Sequence, residues 1–176
     1  MNSEALVISA QQGNKEAFTK LIKNMEHSLY KVSKAILLSD SECLDAVQEA
    51  VLIAYTTIHQ LREPKFFKTW ITRILINECN KIRRNQTKIV KLDGMSEPSI
   101  NEQRDAIIDL QTAVNSLDSD LRTVITLYYY EDLSIKDIGA ILDIAGGTVK
   151  SRLNRARTKL FSLLSTNNSE GRMLHE

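Results

Sequence analysis

Asp132-Leu133-Ser134-Ile135-Lys136-Asp137-Ile138-Gly139-Ala140-Ile141-Leu142 runs through Asp143-Ile144-Ala145-Gly146-Gly147 into Thr148-Val149-Lys150-Ser151-Arg152-Leu153-Asn154-Arg155-Ala156-Arg157-Thr158-Lys159-Leu160. Ser134, with Asp137 three residues on, reads as a helix N-cap, and Ile135, Ile138, Ile141 and Leu142 share one face of the helix it opens. Gly146-Gly147 reads as the turn after it. The next helix, Thr148 to Leu164, places Val149, Leu153, Ala156, Leu160 and Leu164 on a buried stripe and leaves Lys150, Arg152, Arg155, Arg157 and Lys159 outside, with no acid among them. Two helices across a short turn, the second one basic, have the layout of a helix-turn-helix, and a polyanionic duplex suits that surface. The plainer alternative is a solvated basic face on a bundle helix. It fits less well because Glu131, Asp132, Asp137 and Asp143 lie just upstream, so charge is segregated by element.

A length of 176 residues with 43% apolar content suffices for one large core or two small ones, and six Gly with two Pro favour helix throughout. The net charge of +1 hides strong local imbalance, since residues 62–91 hold nine Lys and Arg against two Glu. Asp93, Glu97, Glu102, Asp105 and Asp109 form an acidic stretch between the two basic ones. Cys43 and Cys79 have no C-x-x-C partner and read as buried free thiols, and His27, His59 and His175 stand at unrelated spacings that give no metal motif. No apolar run approaches a membrane span and Met1-Asn2-Ser3-Glu4 lacks a secretion signal, so a cytoplasmic protein is expected. The sequons Asn85-Gln86-Thr87 and Asn167-Asn168-Ser169 are then chance matches.

Upstream, Phe18, Ile22, Met25, Leu29, Val32 and Ile36 recur every four or three residues from Asn14 onward, one face of a long helix. Ser39 and Glu42 suggest a capping box for a second helix, with Leu44, Val47, Val51, Ala54, Ile58 and Leu61 as its buried face and an end before Pro64. A third helix is expected from about Phe66 to Arg84, burying Phe66, Trp70, Ile71, Ile74, Leu75 and Ile82, with a short extra helix near Glu4 to Gln11. Periodicity fades after Asn85, where Asp93-Gly94, Ser96 and Pro98 are turn residues. The expected class is all-α: a self-sufficient helical bundle over residues 1–86, a flexible linker over 87–104, a second small bundle over 105–165 carrying the helix-turn-helix, and a disordered tail over 166–176. Ile107, Leu110, Val114 and Leu117, then Leu121, Val124, Ile125 and Leu127, supply the first two helices of the second bundle. An extended Lys88–Arg104 segment could reach roughly 55 Å at about 3.3 Å per residue, enough for two separate contacts with one duplex.

Asp45, Gln48 and Glu49 lie on neighbouring turns and form one hydrogen-bonding strip. Its plain reading is the wet side of an amphipathic helix; its functional reading is a docking strip for an arginine-bearing partner helix. Arg73, Asn77, Asn80, Lys81, Arg83 and Arg84 accumulate toward the end of the third helix, and Asn and Arg suit base edges and phosphates. Helical spacing assigns Trp70 and Phe66 to the core and leaves Phe67 as the candidate for exposure and base stacking. Gln60-Leu61-Arg62-Glu63-Pro64-Lys65 makes a constrained polar loop able to hold a base turned out of the stack. No phosphate loop, G-x-S-x-G, H-E-x-x-H or paired catalytic carboxylates are present, so neither enzyme activity nor a cofactor is expected.

Taken together, Asp45-Ala46-Val47-Gln48-Glu49 with Ala50-Val51-Leu52, Phe67-Lys68-Thr69-Trp70-Ile71 with Asn77 and Arg83-Arg84, and Gly147 through Arg157 resemble a bacterial extracytoplasmic-function (ECF) sigma factor, the small two-domain branch of the sigma-70 family, over about Asn14 to Leu164. The resemblance implies that Asp45, Gln48, Glu49 and Leu52 dock on the polymerase clamp helices. Arg62, Lys65, Phe67, Arg73, Asn77, Asn80, Lys81, Arg83 and Arg84 would serve the −10 element, where a non-template base is flipped. Lys150, Ser151, Asn154 and Arg155 would face bases of the −35 element, with Thr148, Arg152 and Arg157 on phosphates. It implies core RNA polymerase and promoter DNA as partners, poor DNA binding by the free chain, and control by an anti-sigma factor that in many members is membrane-bound; no small-molecule substrate is implied. Two sites depart from the family pattern: Ala145-Gly146 stand where Pro and a polar residue are usual, suggesting a looser turn, and Asp118 replaces a common proline yet should cap the next helix. The competing expectations are a stand-alone helix-turn-helix regulator and a helical interaction adaptor, the latter leaving the basic helix unexplained.

Overall fold

The computed structural model describes residues 3–93 and 110–170, with side chains over 3–86 and 110–165. Within these the chain is helical: α1 (Ser3–Gln11), α2 (Lys15–Ile36), α3 (Asp40–Thr57), α4 (Phe67–Asp93), α5 (Leu110–Asn115), α6 (Ser119–Ile125), α7 (Ile135–Leu142) and α8 (Gly146–Glu170). Asn14 opens α2 by accepting the Ala17 N–H at 2.9 Å, and Leu37 closes it by donating to Ser33 O at 2.8 Å. After α3, 3-10 turns at Ile58–Gln60 and Pro64–Phe66 carry the chain into α4. Gln11 at the end of α1 donates to the carbonyls of Ile58 (3.1 Å) and Leu61 (2.6 Å), tying the amino-terminal helix to that turn.

The core of the first bundle is built around a stripe of small residues. Cys43, Ala46, Ala50 and Ala54 are fully buried on α3, which lets α2 and α4 approach it closely with Leu29, Val32, Ile71, Leu75 and Ile76 filling the space. Over the first turns of α3 the expected face is therefore shifted by one position, while Ala54, Ile58 and Leu61 are buried as expected. Leu44 is exposed, and Val47 and Val51 are only half-buried, because the alanines already satisfy the close packing. The expected capping box is also absent: Ser39 Oγ pairs with Ser41 Oγ instead of capping α3.

The aromatic assignments reverse. Phe66 ends a 3-10 turn and is 48% exposed, whereas Phe67 begins α4 and is 2% exposed, its ring 6.0 Å from the half-buried Trp70. The tight turn at Pro64 rotates the chain before the helix starts, so helical spacing counted back from Trp70 fails at Phe66. Helix α4 also runs on to Asp93, so residues 87–93, expected in the linker, are helical, and α8 extends through residues 166–170 of the expected tail. Residues 94–109, with the remaining linker positions, Ile107 and the expected start of the second bundle near Asp105, lie outside the described residues, as do 171–176.

In the second bundle Val114, Leu117, Val124, Ile125 and Leu127 form the core with Ile138, Ile141, Val149, Leu153 and Ala156. Asp118 precedes α6 without a side-chain capping bond, its carboxylate lying 3.2 Å from Lys159 Nζ instead. Helix α6 passes into a π-helical turn, Thr126–Tyr130, closed by Glu131 N–H donating to Thr126 O at 3.1 Å. Ser134 caps α7 as expected, accepting the Asp137 N–H at 3.1 Å. The turn, however, is not made by the glycine pair. Asp143 adopts the left-handed conformation (φ 55, ψ 47), Ile144 N–H returns to Gly139 O at 3.0 Å, and Gly146 and Gly147 already belong to the first turn of α8.

The two bundles touch. Helix α2 packs on α6, α4 packs on α7, and one apolar cluster runs from Leu6 through to Ala156. Two separate units were expected; complementary apolar faces on α2, α4, α6 and α7 bring them together.

Candidate partner and nucleic-acid interfaces

Helix α3 presents the first candidate surface. Asp45, Gln48, Glu49 and Leu52 are all exposed on it, with Leu52 57% exposed despite its apolar side chain. Beside them Phe18, Ile22, Val47, Val51 and Tyr55 line a shallow apolar groove of about 510 Å³, and the Phe18 and Tyr55 rings meet edge to face at 5.1 Å. Sequence reasoning missed this groove because it spent Val47 and Val51 on the core. The alanine stripe is the signal that could have found it: a helix that buries only small side chains leaves its large apolar ones for something else. A polar strip flanking an apolar groove suits a helix that offers both arginine and aliphatic side chains.

The second surface runs along α4 and the loop before it. Arg62, Lys65, Arg73, Asn77, Lys81 and Arg84 are exposed; Asn80 and Arg83 are half-buried; and Phe67, expected here as a stacking platform, is in the core. Phe66 takes the exposed aromatic position, with Lys65 Nζ 5.0 Å above its ring. Lys81 is paired with the buried Glu78 at 2.7 Å, and Arg84 Nε donates to Asn80 O at 3.2 Å, so both are steadied along the helix. Lys68, absent from the expected set, is drawn to the second bundle, donating to Glu131 O at 2.7 Å.

The third surface is the outer side of α8. Thr148, Lys150, Ser151, Asn154, Arg155 and Arg157 are exposed there while Val149, Leu153 and Ala156 are buried beneath. Arg152 is the exception: it is half-buried and pairs with Asp120 of α6, within its own bundle, at 2.8 Å. Gly139 lets α7 and the turn close up, since a Cβ there would stand 2.9 Å from Ile144 O. The result is a rigid α7–α8 pair that presents the amino-terminal half of α8 outward, the half a recognition helix uses.

Among the described residues no group of His, Cys, Asp and Glu could hold a metal ion, and no helix is long and apolar enough to cross a membrane. Burial pushes both thiols up, Cys79 to about 12, so neither is poised as a nucleophile.

Two family profiles match the chain in the order of its bundles: sigma-70 region 2 over residues 17–89 and sigma-70 region 4 over residues 107–160. The chain belongs to the ECF sigma factors of the sigma-70 family. The RNA polymerase sigma-H factor of Pseudomonas aeruginosa is 30% identical over 172 residues, 88% of this chain and 89% of that protein. The ECF RNA polymerase sigma-E factor of Escherichia coli is 30% identical over 177 residues, 89% of this chain and 91% of that protein. The sigma factor RpoE of Bartonella quintana, solved in complex with the anti-sigma factor NepR, superposes with a TM-score of 0.72 at 27% identity, over 84% of this chain and 96% of that one. CnrH shares the fold, with a TM-score of 0.68 at 22% identity. The sigma factor accordingly directs RNA polymerase in transcription initiation. A stand-alone helix-turn-helix regulator would account for region 4 and leave region 2 unexplained.

Proposed function

We propose that this sigma factor docks on core RNA polymerase through Asp45, Gln48, Glu49 and Leu52, reads the −35 element with the outer side of α8, and serves the −10 element with α4 and the loop that precedes it. The observation that carries the proposal is α3, whose polar strip and apolar groove are exposed while its small-residue face is buried. Such a surface has no internal role to fulfil. On α8, Lys150, Ser151, Asn154 and Arg155 supply donors for base edges, and Thr148 and Arg157 supply phosphate contacts, which Arg152 joins only on leaving Asp120. On α4 and its loop, Arg62, Lys65, Arg73, Asn77, Asn80, Lys81, Arg83 and Arg84 line the opened strand, and Phe66, not Phe67, is the exposed ring available for stacking.

The factor positions and opens DNA and catalyses no chemistry itself. Because the similar RpoE is solved in complex with an anti-sigma factor, an inhibitor of that class is the natural regulator, and it acts by covering the docking and DNA surfaces. The protein works in the cytoplasm, held at the membrane where its inhibitor is anchored there.

Reconstituted transcription with core polymerase tests the docking assignment. Glu49→Arg in the full chain should abolish co-purification with core polymerase and promoter-dependent transcripts while leaving the helical circular-dichroism signal and the free chain's weak DNA affinity intact. Unaltered core binding by Glu49→Arg removes α3 from the docking surface.

A further inference from the structure

Arg122 on α6 is 5% exposed, yet its positive charge has only neutral partners. Its Nε and Nη1 donate to the carbonyls of Ala35, Asn115 and Leu117. The acids beside it in sequence are engaged elsewhere, Asp118 with Lys159 at 3.2 Å and Asp120 with Arg152 at 2.8 Å. Nη2 takes no partner among the described residues, and it is not sealed either, since the one sealed orphan side-chain atom among them is Thr72 Oγ1. It therefore faces an opening. That opening is a cleft of about 240 Å³ between α2 and the second bundle, lined beside Arg122 by Ala35, Val114 and Thr126. Further out, Tyr130 of the π-helical turn faces His27 and Lys31 of α2, and Lys31 Nζ lies 5.3 Å over the Tyr130 ring. Tyr30 and Lys34 also line it, but their hydroxyl and ammonium groups are turned to Asp40. None of the lining side chains is acidic.

We propose that this cleft is a binding site for a small organic anion, one flat ring bearing a carboxylate or phosphate, whose acidic group meets Arg122 Nη2 and whose ring lies between Val114 and Tyr130. The site is independent of the polymerase and DNA assignments made above. A buried guanidinium held only by carbonyls carries a desolvation penalty that an anion relieves, and a carboxylate or phosphate oxygen is the acceptor its free nitrogen matches. The apolar side chains of Ala35 and Val114 and the Tyr130 ring give the body of the ligand its surface, a few polar groups fixing orientation in a largely apolar pocket. Lys31 and His27 add positive charge at the outer edge, which favours entry of an anion over a neutral ring. Size narrows the class further. Pockets for drug-sized ligands run from about 300 to 1,000 Å³, so this one suits a single ring with one acidic group and is too small for a nucleotide.

Titration of the full chain with benzoate, phenyl phosphate and neutral benzamide, followed by proton–nitrogen NMR, tests this. Either anion should shift the Arg122 Nε–H resonance and the amides of Lys31, Val114 and Thr126 saturably, with a Kd on the order of 1 mM, and benzamide should bind at least about tenfold more weakly. The tighter of the two anions tells whether a carboxylate or a phosphate is preferred. Lys31→Glu, an exposed change, should weaken the anions about fivefold. Arg122→Lys keeps the charge without the planar fork and should weaken them about tenfold, with circular dichroism showing that the helices persist. Three results overturn the proposal: no saturable shift with either anion, benzamide binding as tightly as benzoate, or shifts that fall on Lys15, Lys20 and Lys23 of the outer α2 surface and never saturate. Anion binding that survives both Lys31→Glu and Arg122→Lys unaltered also overturns it, since the ligand then lies elsewhere.

Discussion

Cys79 shows how little a side chain's chemistry can be inferred from its type. It is fully buried, and burial lifts its thiol from 9.0 to about 12. A folded value above the unfolded one means the folded chain holds that proton more tightly, so the associated stability is complete below pH 9.0 and drains away as pH rises toward about 12. The urea midpoint of the parent chain should therefore fall across that window relative to Cys79→Ala, and a difference that stays flat with pH excludes the effect. The free, buried state of both cysteines was legible in the sequence from the missing partners. The exchange of roles between Phe66 and Phe67 was not, because it depends on how the turn at Pro64 rotates the chain before α4 begins.

Elements differ in how firmly their ends were written into the chain. Ser134 announces α7 through a side-chain cap that the structure contains, whereas α2 was marked by its apolar period and its Asn14 cap is a finding of the structure. The glycine pair misled, since the left-handed residue of the turn is Asp143, and Gly147 sits in the first turn of α8 with nothing within 4 Å of an added Cβ. Gly147→Ala should stabilise the chain by about 0.5–1 kcal/mol, the ordinary helical preference for alanine. Gly139→Ala should do the reverse, by about 1–3 kcal/mol, because its Cβ would meet the Ile144 carbonyl in a packed corner. Thermal unfolding of the two variants decides this; shifts of the same sign would show that the turn is not arranged as described.

Across the molecule the bundles are joined by a buried arginine. Arg122, 5% exposed, donates to Asn115 O (2.6 Å) and Leu117 O (3.1 Å) in its own bundle and to Ala35 O (2.8 Å) at the end of α2. Burial draws its guanidinium below its ordinary value, opposed by Asp118. Arg122→Leu should cost about 2–4 kcal/mol by urea unfolding, since it strips donors from three carbonyls at once. Arg122→Lys should recover only part of that, an ammonium lacking the planar fork. A loss below about 0.5 kcal/mol would mean that water replaces these bonds readily.

The helical class, the order of the two bundles, the basic outer side of α8 and the polar strip on α3 could be read from residue order alone. Each depends on side-chain spacing along a single helix, and helical geometry converts that spacing into a face without reference to anything distant. Which face of α3, the small-residue one or the large apolar one, meets the core, and the closing of the bundles around Asp120, Arg122 and Glu131, could not. Those depend on which face meets which neighbour, and residues as far apart as Ser28 and Glu131 come together only when the packing of several helices is settled at once.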